Sequence, residues 1–142
     1  MSVNYILVFL FAALCVTYLA AWLKILVYRV PKGAYSCTLQ AFSTGRWLKT
    51  AFAARLILTS EELVIVTLTG RYVFKRGEVK RIELVKVPLS LISTSFQLNH
   101  TSPNMPELVF FTANWGSVDR LLAELKRLNY PLVQSPQVMG GL

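Results

Sequence analysis

The first 23 residues of the chain contain no charged side chain, and this feature limits its possible structures most strongly. Val3 to Leu23 is an almost wholly apolar run. About 20 apolar residues in a helix, rising about 1.5 Å per residue, cross the roughly 30 Å hydrocarbon core of a bilayer. Because backbone polar groups in lipid must bond to one another, we predict a transmembrane helix within residues 1–30.

A secretory signal peptide is the main alternative for this segment. Such a peptide begins with basic residues, has a shorter apolar core and ends at a cleavage site between small residues. Here the run is long, no Lys or Arg precedes it, and Lys24 and Arg29 follow it. A lipoprotein signal does not fit either, because Leu14 precedes Cys15 where a small residue is needed. We therefore expect a retained anchor.

The bases that follow the run predict its orientation. Lys24, Arg29 and Lys32 lie just after the apolar residues. Since positive residues flanking a span stay on the cytoplasmic side, we expect the N-terminus outside and the remainder in the cytoplasm. The bases therefore predict a single-pass membrane protein with this orientation.

Small residues recur every four positions within the predicted span, at Ala13, Thr17 and Ala21. This spacing places them on one face of a helix, where small residues allow close helix–helix packing. The stripe predicts a contact with another membrane helix, in a partner protein or a second copy of the chain. Alanine is also common in such helices, and we favour that ordinary explanation.

The residues after the span are harder to interpret. Pro31 and Gly33 end the helix and begin a juxtamembrane linker, which we assign to residues 31–50. The apolar side chains between Ala34 and Thr50 do not fall on one face. A first strand, a short helix and a segment lying on the membrane all remain open for this stretch.

From residue 51 the pattern indicates a β domain that ends near residue 131. Alternating and β-branched runs predict strands at 55–58, 63–68, 71–75, 79–86, 95–99 and 108–112. An amphipathic helix follows, with apolar residues at 118, 121, 122, 125 and 128. We expect the tail, residues 132–142, to be flexible. The order of elements predicts an α+β fold, in which the helix covers a bent antiparallel sheet or partly open barrel.

Three sequence segments of this domain resemble bacterial pleckstrin-homology-like (PH-like) domains. They are RLILTSEELVIVT, the hairpin TGRYVFKRGEVKRIELV with Val79 and Ile82 at its docking positions, and LVFFTANWGSVDRLLAELKRLNY. The resemblance covers about residues 51–130. It implies a barrel-like sheet closed by one C-terminal helix, a bacterial inner-membrane setting, and a domain that binds lipids or proteins without catalysing a reaction.

Basic residues are the strongest functional feature of the sequence. The net charge is +8, and the stretch from Lys24 to Arg55 contains six bases and no acid. Juxtamembrane bases near an anionic leaflet contribute about 1 kcal/mol each. The bases that we predict to contact lipid are Lys24, Arg29, Lys32, Arg46, Lys49, Arg71, Lys75, Arg76, Lys80 and Arg81. Topology determination and protection of strand edges are the alternative roles for these side chains.

Catalytic and metal-binding patterns are not found in the sequence. His100 is the single histidine, and Cys15 and Cys37 lie on different sides of the membrane boundary, so we expect no metal site, no cofactor and no disulfide between them. Tyr72 and Phe74 lie among bases, but they alternate in phase with a core face. We therefore expect no nucleic-acid binding.

These observations lead to a membrane-anchored cytoplasmic binding module or accessory subunit, which is not an enzyme. Its predicted partners are anionic lipid head groups, a membrane protein, or another copy of the chain. The alternatives are a tethered small-molecule-binding or enzymatic domain, and a purely structural subunit of a membrane complex. A deep pocket lined by Arg81, Glu83 and His100 would favour the enzyme.

Overall fold

The computed structural model describes residues 2–44, 49–51, 54–68, 70–86 and 94–138, which form two α-helices and nine β-strands. The elements are α1 (Val3–Leu26), β1 (Tyr35–Thr44), β2 (Lys49–Ala51), β3 (Ala54–Leu58), β4 (Glu62–Thr67), β5 (Arg71–Lys75), β6 (Val79–Lys86), β7 (Thr94–His100), β8 (Val109–Ala113), α2 (Val118–Arg127) and β9 (Leu132–Val138). Short 3₁₀ turns, Arg76–Glu78 and Trp115–Ser117, precede β6 and α2.

Helix α1 is apolar on every side, which is typical of a helix surrounded by lipid or fully buried in protein. It has 24 residues and is long and apolar enough to cross a membrane. Residues 3–20 are exposed, whereas Ala21 and Ile25 are buried. Because these two side chains are one helical turn apart, a single face at the end of α1 packs against the β domain.

All nine strands join one open sheet. Its order is β5-β4-β3-β1-β8-β7-β6-β9, and β2 pairs with β1 beside this path. The strand pairs are antiparallel except for the parallel pair of β6 and β9. Since β1 occupies the middle of the order, the segment that follows α1 leads directly into the centre of the sheet.

The sheet is strongly bent. β5 and β6 lie far apart in the strand order, yet only the turn Arg76–Glu78 separates them along the chain. The bend brings Tyr72 on β5 against Phe42 on β1, with ring centres 5.0 Å apart. Phe74 on β5 packs similarly against His100 on β7 at 4.8 Å. The largest fully buried aromatic side chains of the enclosed core are Phe74, Phe96 and Phe111.

Helix α2 covers the core with its leucine face. Leu121 and Leu125 are completely buried among the sheet residues. The helix ends before Asn129, whose φ of 57° is the left-handed conformation common just after helix ends. Tyr130 then turns back to the sheet, and its hydroxyl donates a 2.8 Å hydrogen bond to the carbonyl of Thr59.

A second apolar cluster lies on the outer face of β3–β5. Its buried members are Ile57, Val64 and Val66. The segment after α1 packs over them through Tyr28, Val30 and Ala34. The chain between the helix and β1 is therefore fixed to the domain along much of its length.

The segment from Ala34 to Thr50 could be a strand, a short helix or a membrane-surface segment by its sequence. It contains the central strand β1. A bulge between Leu39 and Ala41 explains why its pattern is hard to interpret. Cys37 and Leu39 are buried before the bulge, and Phe42 and Thr44 are buried after it. Because the extra residue shifts the alternation by one position, no single face appears in the sequence.

The tail differs from the expected flexible segment, because Leu132–Val138 forms β9 along β6. The α+β class, the bent open sheet and the covering helix are confirmed. Cys15 and Cys37 are both free. The domain boundaries and the PH-like assignment stay predictions.

Candidate functional site

Arg55 on β3 holds the end of α1. Its Nη1 donates a 2.8 Å hydrogen bond to the carbonyl of Leu26 and a longer one, of 3.5 Å, to the carbonyl of Tyr28. Its Nε donates to the hydroxyl of Ser36 at 2.5 Å. The last carbonyls of a helix lack partners within the helix and carry partial negative charge. The guanidinium therefore satisfies this helix end with a group of the favourable sign.

A second arginine lies beside the first. Arg71 on β5 donates a 3.1 Å hydrogen bond from Nη1 to the hydroxyl of Tyr28. Val66 pairs with Arg55 on one side and with Arg71 on the other, so both arginines lie in one row across the outer face. Three further bases are exposed around the end of α1: Lys24, Arg29 and Lys32. We call Lys24, Arg29, Lys32, Arg55 and Arg71 the anchor-end bases.

Other bases predicted to contact lipid lie at the opposite end of β5. Lys75 is four residues beyond Arg71, or about 13 Å along a strand. The side chain of Arg76 reaches away to the carbonyl of Asn129, at 3.3 Å. Two more bases follow across the turn, Lys80 and Arg81.

The ten predicted contacts therefore do not form one surface. Four of them gather at the end of α1, while Lys75, Arg76, Lys80 and Arg81 belong to the far end of β5 and the start of β6. Arg46 lies outside the described residues, and only the backbone of Lys49 is described. A lipid-contact role for each of these side chains stays a prediction.

An open cleft of about 580 Å³ lies between the segment after α1, the start of β1, and α2. We call it the arginine cleft, because Arg55, Arg120 and Arg127 line it. Its neutral polar lining includes Tyr35, Ser36 and Ser117. Arg55 also holds Leu26, so the cleft lies directly beside the end of the apolar helix.

The charge of the cleft is only partly balanced. Arg127 forms an ion pair with Glu124, at 2.8 Å between Nη2 and Oε2. The guanidinium of Arg120 lies 5.8 Å from the centre of the Tyr35 ring, a cation–π arrangement that holds it over the cleft. Neither ion pair found among the described residues includes Arg55 or Arg120. Two positive charges are thus left without a carboxylate partner there.

Two other side chains of the cleft stay neutral at physiological pH. Burial, followed by the nearby Cys37 thiol, raises the pKa of Tyr35 from 10.0 to about 12. Burial likewise raises the pKa of Cys37 from 9.0 to about 11. Because neither group ionises near pH 7, neither adds negative charge to the cleft.

Sequence reasoning missed this cleft. Arg120, Glu124 and Arg127 follow the spacing i, i+4, i+7, which places them on one face of α2. That spacing was a usable signal, but it resembles an ordinary solvated helix face. Arg55 counted among the juxtamembrane bases, yet its contact with Leu26 depends on a sheet register that the sequence does not reveal.

A second polar depression lies on β6 and β7. Lys80, Arg81, Glu83, Gln97 and Asn99 line it. Glu83 is only 3% exposed and forms an ion pair with Arg81. His100 does not join them, because its Nε2 lies 2.6 Å from the carbonyl of Pro106 and its ring packs against Phe74. The pocket lined by Arg81, Glu83 and His100 that would favour an enzyme is therefore incomplete, because His100 does not line it.

The structure describes no group of three His, Cys, Asp or Glu side chains that could hold a metal ion within residues 2–44, 49–51, 54–68, 70–86 and 94–138. The two aromatic residues considered for base stacking are occupied in packing. Phe74 is completely buried, and Tyr72 packs against Phe42.

The three small residues of the α1 stripe lie in two different environments. Ala21 is buried near the domain, whereas Ala13 and Thr17 are exposed. The Thr17 hydroxyl donates to the Ala13 carbonyl at 2.8 Å, so it needs no partner from another helix. Helix–helix packing through this stripe stays a prediction.

No family model matches the chain, and no curated protein matches it. Several solved structures show similarity, and two of them illustrate it. The C-terminal domain of an unknown protein from Leishmania infantum is 10% identical, with a TM-score of 0.48 over 79% of this chain and 94% of that one. The hSac2 domain from human phosphoinositide phosphatase Sac2 is 9% identical, with a TM-score of 0.51 over 92% of each chain. At this identity, the second likeness concerns the fold alone.

Proposed function

We propose that the chain is a membrane-anchored binding module whose β domain contacts an anionic lipid surface on the cytoplasmic side. The hydrogen bond between Arg55 and Leu26 is the observation that carries this proposal. Because a β-strand side chain bonds the last residue of the apolar helix, the domain begins where the membrane segment ends.

The length of α1 supports a position at the head groups. Its 24 residues extend about 36 Å, whereas the hydrocarbon core is roughly 30 Å thick. About four residues therefore extend beyond the core, and Lys24 indicates that they lie at the C-terminal end. Ile25 and Leu26 then reach the head-group layer, and so does Arg55.

The anchor-end bases supply the attraction. Each base close to an anionic leaflet contributes about 1 kcal/mol, and the effect fades within a Debye length of the surface. Lys24, Arg29 and Lys32 also set the orientation, with the N-terminus outside and the domain in the cytoplasm. The hSac2 domain comes from a protein described as a phosphoinositide phosphatase, and this lipid-related setting agrees with the proposal.

The proposal is tested on the full-length chain in nanodiscs of phosphatidylcholine, with or without phosphatidylglycerol. A donor dye is placed on Thr101→Cys, an exposed loop position, in a Cys15→Ser background, and an acceptor dye is carried by the lipid head groups. We expect stronger energy transfer in the anionic discs, and a decrease as salt is added.

A matched pair of triple variants locates the contact. Changing Lys24, Arg29 and Lys32 to Gln should lower the energy transfer in anionic discs. Changing Lys75, Arg76 and Lys80 to Gln removes the same charge from the other end of β5 and should have little effect. Both leaflets of a nanodisc are accessible, so any change in topology does not confuse the result. Equal transfer in neutral and anionic discs would contradict the proposal.

A further inference from the structure

We infer that the arginine cleft binds a phosphate monoester, in the head group of an anionic lipid or in a small soluble ester. This inference rests on the proposed function, because it names the specific site within a domain held at the membrane surface. The juxtaposition that carries it is that of Arg55, at the end of α1, with Arg120 on α2 across one cleft.

The two arginines match the ligand in chemistry. A guanidinium presents several donors in one plane and binds phosphate oxygens in pairs. The hydrogen bonds of Arg55 use Nε and Nη1, and none among the described residues uses its Nη2. Arg120 is exposed and lies outside both ion pairs of the described residues. Two cationic side chains therefore remain for a group carrying up to two negative charges.

The remaining lining does not oppose an anion. Among the described residues that line the cleft, only Glu124 carries a carboxylate, and it is already paired with Arg127. The Tyr35 hydroxyl is neutral, so it adds no negative charge to the cleft. Residues at the start of α2, where backbone N–H groups favour negative charge, also line the cleft.

The size and place of the cleft fit a head group. Ligand pockets for small molecules usually measure about 300–1,000 Å³, and this cleft measures about 580 Å³. It is open to the outside, and it adjoins Leu26 through Arg55. A lipid can therefore place its phosphate in the cleft while its chains remain in the bilayer.

The other charged depression is a poorer candidate for an anion. The buried carboxylate of Glu83 faces the bases of that depression, and Arg81 is already engaged in pairing with it. A buried carboxylate repels a phosphate more strongly than an exposed one, because solvent screens it less. No carboxylate among the described lining residues of the arginine cleft is buried to that degree, since the side chain of Glu124 is 22% exposed.

The test uses the full-length chain in nanodiscs and two probes. The lipid-borne probe is phosphatidic acid at low content, with bound lipid counted by native mass spectrometry. The soluble probe is glycerol 3-phosphate, titrated calorimetrically into discs of pure phosphatidylcholine. Arg120→Gln should weaken binding of the recognised probe about tenfold. Lys126→Gln removes one exposed charge from the same helix outside the cleft, and should change it by less than about twofold.

Each outcome has one meaning. Loss confined to Arg120→Gln with phosphatidic acid supports a lipid phosphate in the cleft, and the same pattern with glycerol phosphate supports a soluble ester. Equal loss in both variants, or no binding of either probe by the wild type, overturns the inference. The energy-transfer result with the triple variants is independent of these outcomes, so the proposed function can stand when the cleft fails.

Discussion

The guanidinium of Arg55 and the carbonyl of Leu26 are joined by a 2.8 Å hydrogen bond, which ties strand β3 to the last residue of an apolar helix. The burial of Ile25, which is 1% exposed, adds an apolar contact at the same junction. A flexible linker would let the domain move freely above the bilayer. In the proposed membrane setting, this junction keeps the domain close to the bilayer, while its tilt and distance can still respond to the charge of the lipid.

Arg55→Gln should weaken the junction. Hydrogen bonds to charged groups contribute about 1.5–3 kcal/mol each, and the change removes or weakens two close bonds, to Leu26 and Ser36. We expect the free energy of unfolding of the full-length chain in detergent to fall by about 2 kcal/mol, with faster amide exchange at residues 27–30. Arg71→Gln is the control, because its exposed bond to Tyr28 should contribute less than about 1 kcal/mol. Equal effects of the two changes would contradict the special role of Arg55.

Leu125→Ala should be among the most destabilising changes in α2. The side chain is completely buried in the main core, and truncating a buried leucine costs about 2–5 kcal/mol through lost burial and a residual cavity. Chemical denaturation of the full-length chain measures the loss. Lys126→Ala, an exposed neighbour, should stay within about 0.5 kcal/mol of the wild type. A small effect at Leu125 would mean that α2 does not seal the core.

Two elements that sequence analysis located, β7 and α2, show the periodicity expected of their type. In β7, Phe96 and Leu98 are buried on one face and Gln97 between them is more exposed, which is the period expected of a half-buried strand. In α2, Leu121 and Leu125 are one turn apart and both are buried. Such local periodicity is visible in the sequence because each side chain's environment follows from its own element.

The rest depends on contacts between distant residues. The bulge near Leu39 changes the phase of the burial pattern in β1. Parallel pairing with β6 turns the polar segment that begins at Leu132 into strand β9. The arginine cleft likewise needs Arg55 and Arg120 to meet from elements 65 residues apart in the sequence. No spacing rule predicts such a meeting, since it follows from how the sheet bends and where α2 packs.

The proposed orientation predicts which residues react outside the cell. In a Cys15→Ser background, a cysteine at Ser2 should react with a membrane-impermeant maleimide in intact cells. A cysteine at Thr101 should react only after lysis, because the bases after the span hold the domain inside. Labelling of the Thr101 position in intact cells would show the opposite orientation.

The thiol of Cys37 should be nearly inert in the folded chain. Burial raises its pKa to about 11, so about one thiol in a thousand is ionised at pH 8, and only 8% of the residue is exposed. Alkylation by iodoacetamide in a Cys15→Ser background should therefore be slow until denaturant unfolds the chain. Equal rates in the folded and unfolded chain would place Cys37 at an accessible surface.

Tyr130 should make the fold sensitive to alkaline pH. Burial raises its pKa from 10.0 to about 12, so the folded state disfavours the phenolate more than the unfolded chain does. This contribution is complete below about pH 10 and is lost as the pH rises towards 12. Two pKa units correspond to at most about 2.7 kcal/mol, and solvent screening should reduce the observed loss to about half of that.

The comparison of wild type with Tyr130→Phe isolates this group. The variant loses the hydrogen bond to Thr59, so it should be less stable by about 1 kcal/mol near neutral pH. Its further loss between about pH 9 and pH 11.5 should be smaller than that of the wild type, although Tyr35 still contributes through its own raised pKa. Denaturant unfolding near neutral pH measures the first difference, and unfolding at about pH 9 and pH 11.5 measures the second. Parallel losses in the two proteins would show that Tyr130 is not the group that titrates, because the only change between them is the ionisable hydroxyl.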